Sequence, residues 1–257
     1  RHPELGNHEY KTAALIEKTL NDLGIASHRV TETGIIGELT GSRPGPIIAL
    51  RADMDALPIT EKTGVSFASE IPECMHACGH DIHTAAVLGA AMLLSEQRND
   101  LHGNVRFLFE PDEERFGGSA RMIAAGAMDG VEAVFGAHVA PDLPEGVIGV
   151  RYGKFYAASD LFSVIIHGKS AHGAQPEKGI DALASAAETV TTVRALPEKL
   201  LSDPAVLNVG RFHAGTADNI IADTAEFNGT MRTLGSVDRT ALKAGFCQTV
   251  EQISAKY

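Results

Sequence analysis

The sequence is poor in the residues that mark several large classes of protein. Its 257 residues include three cysteines and no tryptophan, and aromatic side chains make up 5% of the chain. An odd number of cysteines without a regular spacing argues against a small secreted domain stapled by disulfides. We therefore expect a reducing compartment, the cytoplasm, for this protein.

Positive charge and long apolar segments are also scarce. The chain has 22 Lys and Arg against 33 Asp and Glu, a formal net charge of −11. This excess of negative charge argues against nucleic acid or an anionic membrane as the main partner. No apolar run approaches the roughly 20 residues that a membrane-spanning helix needs. Hydrophobic residues still make up 44% of the chain, enough for one large globular domain or two ordinary ones.

The two ends of the sequence suggest a piece of a longer protein. The chain opens on Arg1 rather than methionine, and no basic and apolar leader precedes the first helical pattern. The last segment, residues 237–257, has a helical pattern without a stop signal. We therefore expect a chain that is truncated at both ends.

Helix and strand patterns alternate over the first 157 residues. Helical patterns cover residues 10–23, 85–94 and 119–125, and strand patterns cover residues 35–39, 46–50, 104–109 and 133–139. Such alternation predicts an α/β domain with a mostly parallel sheet, in which functional groups follow the carboxyl ends of the strands.

A different order of elements begins at residue 158. The patterns there are a strand at 160–167, a helix at 180–195, strands at 205–211 and 225–232, and a helix at 237–255. The order β-α-β-β-α is that of a ferredoxin-like, split βαβ unit without its last strand. We expect two domains, residues 1–157 and an incomplete second one at 158–257.

Residues 75–83 contain the densest group of metal-ligating side chains, in the order Met-His-Ala-Cys-Gly-His-Asp-Ile-His. Cys78 and His80 are two positions apart, so in an extended loop their side chains point to the same side. A thiolate and an imidazole together suit a transition metal ion. This stretch alone leaves open a second interpretation, in which the histidines cap and hydrogen-bond the N-terminus of the next helix.

Three further groups of candidate side chains follow predicted strands: Asp53 and Asp55, then Glu113 and Glu114, then His138. Two adjacent carboxylates do not readily bind one ion together, so one could ligate while the other accepts a proton from water. Each group has an ordinary structural explanation when taken alone. Together, and in this order along the chain, they predict one dinuclear metal site.

The second domain offers three candidate residues for substrate binding. His172 lies among small residues in Gly-Lys-Ser-Ala-His-Gly-Ala, where its imidazole could donate a hydrogen bond to an oxyanion. Asn219 and Arg232 could bind a substrate carboxylate, because the guanidinium fork matches that anion. An ordinary polar residue at the end of a strand is the alternative for each of them.

The motifs resemble those of a known family. They are His-Pro-Glu-Leu-Gly at 2–6, Arg-Ala-Asp-Met-Asp-Ala-Leu-Pro-Ile at 51–59, Met-His-Ala-Cys-Gly-His-Asp at 75–81, Pro-Asp-Glu-Glu at 111–114, Gly-Ala-His-Val at 136–139, His-Gly-Ala at 172–174 and Gly-Thr-Ala-Asp-Asn at 215–219. Over essentially the whole chain they resemble metal-dependent amidohydrolases of the hippurate hydrolase type. That group includes the N-acyl-amino-acid and indole-acetyl-amino-acid hydrolases and is related to aminoacylase and glutamate carboxypeptidase.

The resemblance implies a catalytic domain with two divalent ions (Mn, Zn, Co or Ni) and an inserted lid domain that forms a homodimer. The positions that match the metal ligands are Cys78, His80, Glu114 and His138. The implied substrate is a small N-acyl amino acid or a related conjugate, whose amide bond is hydrolysed by a metal-activated water.

The resemblance also implies roles for three residues that are not ligands. Glu113 matches the general base that activates the water, and His172 matches a lid histidine that reaches the neighbouring subunit's site and stabilises the tetrahedral intermediate. Asp55 matches an acidic residue beside the metal-binding loop, where it would orient a ligand.

The chain departs from the family pattern in three places. Where relatives commonly have Gln-Pro-Ala-Glu-Glu, residues 110–114 read Glu-Pro-Asp-Glu-Glu, so two negative charges are added that either raise the pKa of Glu113 or tighten metal binding. The glycine run that usually follows is broken by Arg115 and Phe116. The family's fifth ligand, a histidine near the C-terminal end of the catalytic domain, has no counterpart in this chain.

Two alternatives to the amidohydrolase hypothesis remain from the sequence. One is a catalytically incomplete fragment that only binds metal and dimerises. The other makes Cys78 a nucleophile that His80 activates, although a separation of two residues suits a shared ion better than such an attack.

Overall fold

The computed structural model describes residues 1–115 and 117–257, so Phe116 lies outside the described residues. The chain forms two compact units, Arg1–Val147 and Ile148–Tyr257. The domain boundary expected from the sequence, at 157/158, lies ten residues after this division, at the start of the first strand of the second unit. Within the described residues, no helix is both long and apolar enough to cross a membrane.

The first unit alternates helices and strands, as the sequence patterns predict. Its elements are α1 (Tyr10–Asp22), β1 (Ala26–Val30), β2 (Gly34–Thr40), β3 (Arg43–Asp53), α2 (His80–Glu96), β4 (His102–Glu110), α3 (Gly118–Ala124) and β5 (Val131–Gly136). Strand β1 has no counterpart among the predicted strands. Only Val30 of its five residues is buried, so the strand shows no apolar pattern.

The sheet of this unit has the strand order β1-β2-β4-β3-β5. Strand β3 lies between β4 and β5 and is parallel to both, whereas β2 is antiparallel to β4 and to β1. Four strands therefore run in one direction and β2 runs against them, which confirms the mostly parallel sheet. Asp53 pairs with Glu110, so the chain segments that leave β3 and β4 emerge side by side.

Helix α1 covers the sheet with residues at helical spacing. Ala13, Ile16 and Leu20 are fully buried on the same face of this helix, as expected for apolar side chains three and four positions apart. They pack in one core with Phe107 and Phe109 of β4. This packing fixes the strands whose ends carry the candidate site.

Helix α2 begins at His80, five residues before the predicted start. Gly79 precedes it in the left-handed conformation, with φ of 91°, which an L-residue adopts only at a cost. The buried positions of the first turn are His80, His83 and Thr84. Because these inward-facing residues are polar, the apolar pattern does not reveal the first turn of the helix.

The second unit has the predicted β-α-β-β-α order, with one short additional helix between the first long helix and the second strand. Its elements are β6 (Ala158–His167), α4 (Ala182–Val193), α5 (Leu196–Leu200), β7 (Ala205–Ala214), β8 (Thr224–Thr233) and α6 (Ser236–Ser254). Its antiparallel sheet has the order β6-β8-β7. The central position of β8 is that of the third strand of a ferredoxin-like fold, and α4 and α6 contribute to the same core as Phe227.

Candidate metal centre

Four segments of the first unit bring metal-ligating atoms together. They are the end of β3, the loop before α2, the turn after β4 and the segment after β5. Within 4.8 Å of one another lie ligand atoms of three overlapping groups: Cys78 with His80 and His138, His80 with Glu113 and Glu114, and His80 with Asp53 and His83. Three of the four ligands predicted from the sequence, Cys78, Glu114 and His138, therefore lie around the fourth, His80.

The imidazole of His80 is fully buried and has one unpartnered nitrogen. Its Nδ1 lies 3.1 Å from Asp55 Oδ1. Its Nε2 has no hydrogen-bond partner among the described residues, although carboxylate oxygens of Asp53 and Glu114 lie 3.6 and 3.7 Å away. A buried nitrogen without a hydrogen-bond partner destabilises the folded protein. A histidine that binds a metal through one nitrogen usually has a carboxylate hydrogen-bonded to the other.

Asp55 also supports the acidic turn after β4. Its Oδ2 accepts a hydrogen bond from the backbone N–H of Glu114 at 3.1 Å. The carboxylate is buried, so this bond and the contact with His80 are shielded from water. Asp55 therefore lies where the sequence predicts a residue that orients a ligand.

Cys78 and His138 form the second half of the centre. Cys78 Sγ lies 3.4 Å from His138 Nε2, and His138 Nδ1 lies 2.8 Å from the backbone oxygen of Val139. Since a carbonyl oxygen only accepts, Nδ1 carries the hydrogen and Nε2 presents its lone pair toward the sulfur. The sulfur and this nitrogen are thus placed as two ligands of one ion would be.

The surroundings of Cys78 oppose a free thiolate. Burial, a hydrogen bond with Glu114 and the charges of Glu114, Glu113 and Asp53 raise the pKa of the Cys78 thiol to about 12. The thiol therefore stays protonated at neutral pH unless positive charge is added. The interpretation of Cys78 as a nucleophile loses its support, because it requires His80 to activate the thiol. The imidazole in contact with the sulfur belongs to His138 instead.

The paired glutamates occupy different positions. Glu114 Oε1 is buried without a hydrogen-bond partner among the described residues, whereas Glu113 is more exposed, with 36% of its side chain accessible. Burial and the charge of Glu114 raise the pKa of Glu113. One carboxylate thus suits ligation and the other suits proton transfer.

The two added charges of the Glu-Pro-Asp-Glu-Glu turn are each paired with an arginine. Glu110 Oε2 lies 2.6 Å from Arg51 Nη2, and Asp112 Oδ2 lies 3.2 Å from Arg121 Nη2. Burial and the charges of Glu114 and Asp53 are among the causes that raise the pKa of Glu113. The departure from the family pattern therefore stabilises the turn locally.

The donor set fits a divalent transition metal. It combines sulfur, nitrogen and oxygen donors, a combination that zinc, cobalt, manganese and nickel accept in proteins. Added positive charge would favour the Cys78 thiolate and reach the unpartnered atoms of His80 and Glu114. The residues and the group implied by the family are therefore compatible.

In the second unit, His172 and Asn219 lie on adjoining loops. The backbone of His172 pairs with that of Ile220, and Gly173 N–H donates to Asn219 O at 2.7 Å. Ala174 N–H donates to His172 Nδ1 at 3.1 Å. The imidazole is therefore held by its own loop while remaining exposed.

Arg232 is not brought to this pair within one chain. It lies near the C-terminal end of β8. Thr224, eight positions earlier, is the first residue of this strand and follows the loop that contains Asn219. At about 3.3 Å per residue this is roughly 26 Å along the strand. Asn219 and Arg232 therefore do not form a joint site for one carboxylate within a subunit.

Fold and site together define a two-unit α/β protein of the metallopeptidase-like class. A family model described as peptidase family M20/M25/M40 matches residues 49–223. The chain belongs to this family, which confirms the resemblance seen in its motifs.

Three known proteins illustrate the similarity. The chain is 42% identical over 260 residues to an N-acetyl-L-cysteine deacetylase of Bacillus subtilis, covering 100% of this chain and 62% of the relative. It is 46% identical over 236 residues to an N-acyl-L-amino acid amidohydrolase of Geobacillus stearothermophilus, covering 90% and 64%. A crystal structure of a dinuclear metal binding peptidase of the M20 family from Bacillus subtilis matches with a TM-score of 0.84 and 41% identity, covering 100% and 67%. The chain thus spans about two thirds of the length of its relatives.

Asp53 and His83 were noted in the sequence, as a residue after a strand and as part of the stretch 75–83, but neither was placed among the predicted ligands or supporting residues. Both are buried in the centre, and His83 Nδ1 lies 2.6 Å from Asp53 Oδ1. The available signal was the spacing of His80 and His83, which places two histidines on one face of a helical turn.

Proposed function

We propose that this protein hydrolyses the amide bond of N-acyl amino acids or related amino-acid conjugates with the help of two divalent ions. The observation that carries the proposal is the buried, unpartnered Nε2 of His80 among sulfur, nitrogen and oxygen donors. Its support from the comparisons is the similarity to an N-acetyl-L-cysteine deacetylase and an N-acyl-L-amino acid amidohydrolase.

In the proposed mechanism, Cys78, His80, Glu114 and His138 hold the metal. Bound divalent ions supply a Lewis acid for the scissile carbonyl and make water more acidic. Glu113 accepts the proton of the attacking water and returns it to the leaving amine. Its raised pKa suits this role, because a carboxylate of higher pKa is a stronger base.

His172 is proposed to donate to the developing oxyanion. The backbone N–H of Ala174 donates to Nδ1, so the neutral ring carries its hydrogen on Nε2 and can donate there. We propose that the ferredoxin-like unit forms a homodimer and that this histidine serves the site of the neighbouring subunit. Asn219 and Arg232 remain candidates for separate contacts with the substrate, and a carboxylate suits the exposed guanidinium of Arg232.

The exchange Glu113→Gln tests the proposed general base. We expect kcat on N-acyl amino acids to fall at least 100-fold while bound metal, measured by elemental analysis, stays near the wild-type value. Retained turnover would refute the role of Glu113. A panel of acyl groups and amino acids, assayed with Mn, Zn, Co and Ni in turn, identifies the preferred substrate and metal.

The exchange Cys78→Ala tests the proposed ligand set. We expect metal occupancy to fall sharply, because the thiolate supplies one of the donors. Cys247→Ala is the matched control, since Cys247 is a free and exposed cysteine on α6. Equal occupancy in the two variants would contradict ligation by Cys78.

A second candidate function is a metal-binding and dimerising module without catalysis. Metal binding and dimerisation without turnover on any member of the substrate panel would support this alternative. We further propose a cytoplasmic location, which the three free cysteines support.

A further inference from the structure

His83 lies in the first turn of α2, three positions after His80, and both of its ring nitrogens are engaged. Its side chain is 3% exposed. Nδ1 lies 2.6 Å from Asp53 Oδ1, and Nε2 lies 2.9 Å from the backbone nitrogen of Val139. These contacts join the end of β3 to the segment after β5.

The two partners determine which nitrogen carries the hydrogen. A backbone N–H can only donate, so the Nε2 of His83 accepts from Val139 and the hydrogen resides on Nδ1, which donates to Asp53. The lone pair of Nε2 is thereby used within the protein. Although His83 lies within ligand distance of Asp53 and His80, its ring offers no free lone pair to an ion.

Val139 is held on two sides, directly after the candidate ligand His138. Besides the hydrogen bond to His83, its side chain packs against Gly79, where an added Cβ would lie 2.5 Å from Val139 Cγ2. The ring centroids of His138 and His83 lie 4.5 Å apart. Its Nε2 comes within 3.4 Å of Cys78 Sγ.

We infer that His83 is a positioning residue, which fixes His138 against Cys78 through the backbone of Val139 and does not itself bind metal. The inference rests on the proposed function only in taking Cys78 and His138 as ligands. Asp53 supports this arrangement, because it accepts the hydrogen bond that keeps the hydrogen of His83 on Nδ1. Its other carboxylate oxygen lies 2.8 Å from Arg51 Nη1.

Two amide substitutions separate the two contacts of His83. The amide oxygen of glutamine in His83→Gln reaches the region of Nε2 and can accept from Val139. The amide nitrogen of asparagine in His83→Asn reaches the region of Nδ1 and can donate to Asp53 but not reach Val139. His28→Gln, at an exposed position of β1, is the matched control.

The measurement is the affinity of each purified protein for Co²⁺, titrated by the sulfur-to-cobalt absorption band, with the melting temperature of the metal-free protein recorded in parallel. We expect His83→Asn to bind Co²⁺ 10- to 100-fold more weakly, the range found for residues that orient ligands. We expect His83→Gln to stay within a few-fold of wild type and of His28→Gln.

Three outcomes would overturn the inference. Equal and large losses in both variants, with a lower metal-to-protein ratio, would make His83 a ligand. Lower melting temperatures with unchanged Co²⁺ affinity would leave it a purely structural residue. A cobalt band that is unchanged in His83→Asn would show that His138 needs no such support. Since turnover is not measured, the result is independent of whether the protein hydrolyses N-acyl amino acids.

Discussion

Asp55 holds the backbone N–H of Glu114 with one carboxylate oxygen, at 3.1 Å, while its other oxygen contacts the ring of His80. One buried side chain at the end of β3 thus sets two candidate ligands, one on α2 and one in the turn after β4. Two candidate ligands thus depend for their position on a residue outside the predicted ligand set.

Asp55→Ala is expected to weaken metal binding 10- to 100-fold, because the ring of His80 and the backbone of Glu114 lose their common support. Asp81→Ala is the control, since Asp81 is exposed in the same first turn of α2. Competition titrations with a Zn²⁺ chelator measure both affinities. Equal values for the two variants would contradict the role given to Asp55.

Gly79→Ala is expected to destabilise the protein by about 2–3 kcal/mol. The residue has φ of 91°, a conformation that strains an L side chain, and the new methyl group would meet Val139. Gly89 lies inside α2, and nothing lies within 4 Å of the position that a Cβ would take there. Gly89→Ala should therefore stabilise the protein by about 0.5–1 kcal/mol. Urea denaturation compares the two, and similar effects would argue against the strain at Gly79.

Glu9→Ala is expected to cost about 2–6 kcal/mol of folding free energy. The carboxylate is fully buried, and it accepts from Asp112 N–H at 2.8 Å and from the Thr33 hydroxyl at 2.7 Å. Truncation leaves both donors without a partner, at about 1–3 kcal/mol each. Denaturation of Glu32→Ala, an exposed control on the neighbouring loop, should differ from wild type by less than about 0.5 kcal/mol.

Asp160→Asn is expected to destabilise the protein at pH 7 and to have no effect in strong acid. Hydrogen bonds from Arg239 and Lys243 lower the pKa of Asp160 below its ordinary value of 3.8. A lowered folded-state pKa stabilises above the unfolded pKa, and this contribution is lost as the pH falls through the folded value.

The size of this effect is limited by the solvent around the two cations. We expect less than about 1 kcal/mol at pH 7, since exposed partners are screened. Melting curves between pH 7 and pH 2 should converge for Asp160→Asn and wild type only below about pH 4. A difference in melting temperature between the two proteins that does not change from pH 7 to pH 2 would mean that the ion pair does not stabilise the second unit. Asp22→Asn, in the exposed pair with Lys18, is the control.

Runs of apolar residues in the sequence predicted most of the strands and helices. The strands that precede the candidate residues Asp53, Glu110 and His138 were visible because each contains a run of apolar residues in the sequence, although no residue of β5 is buried. Strand β1 was not, since only Val30 is buried in it. The first turn of α2 was hidden for the opposite reason, because His80 and His83 replace apolar residues on its buried face.

The candidate ligands could be predicted from residue type and position after strands, but their supports could not. His83 acts through a hydrogen bond to a residue 56 positions away, and no local spacing encodes such a contact. Asp55 was a candidate because it follows a strand, but its role in orienting a ligand came only from the family resemblance. Which of several polar residues near a strand end turns inward depends on backbone geometry that composition does not carry.

The parallel pairing of β3 with both β4 and β5 has a consequence for the order of folding. Parallel strands joined by long connections pair slowly, since loop closure precedes any gain from contacts. At the usual speed of synthesis, about 5–20 residues per second, the segment with His138 leaves the ribosome roughly 3–12 s after Cys78. Cys78 and His138 can therefore meet only after β5 has paired with β3, so a bound ion would signal that β5 has docked.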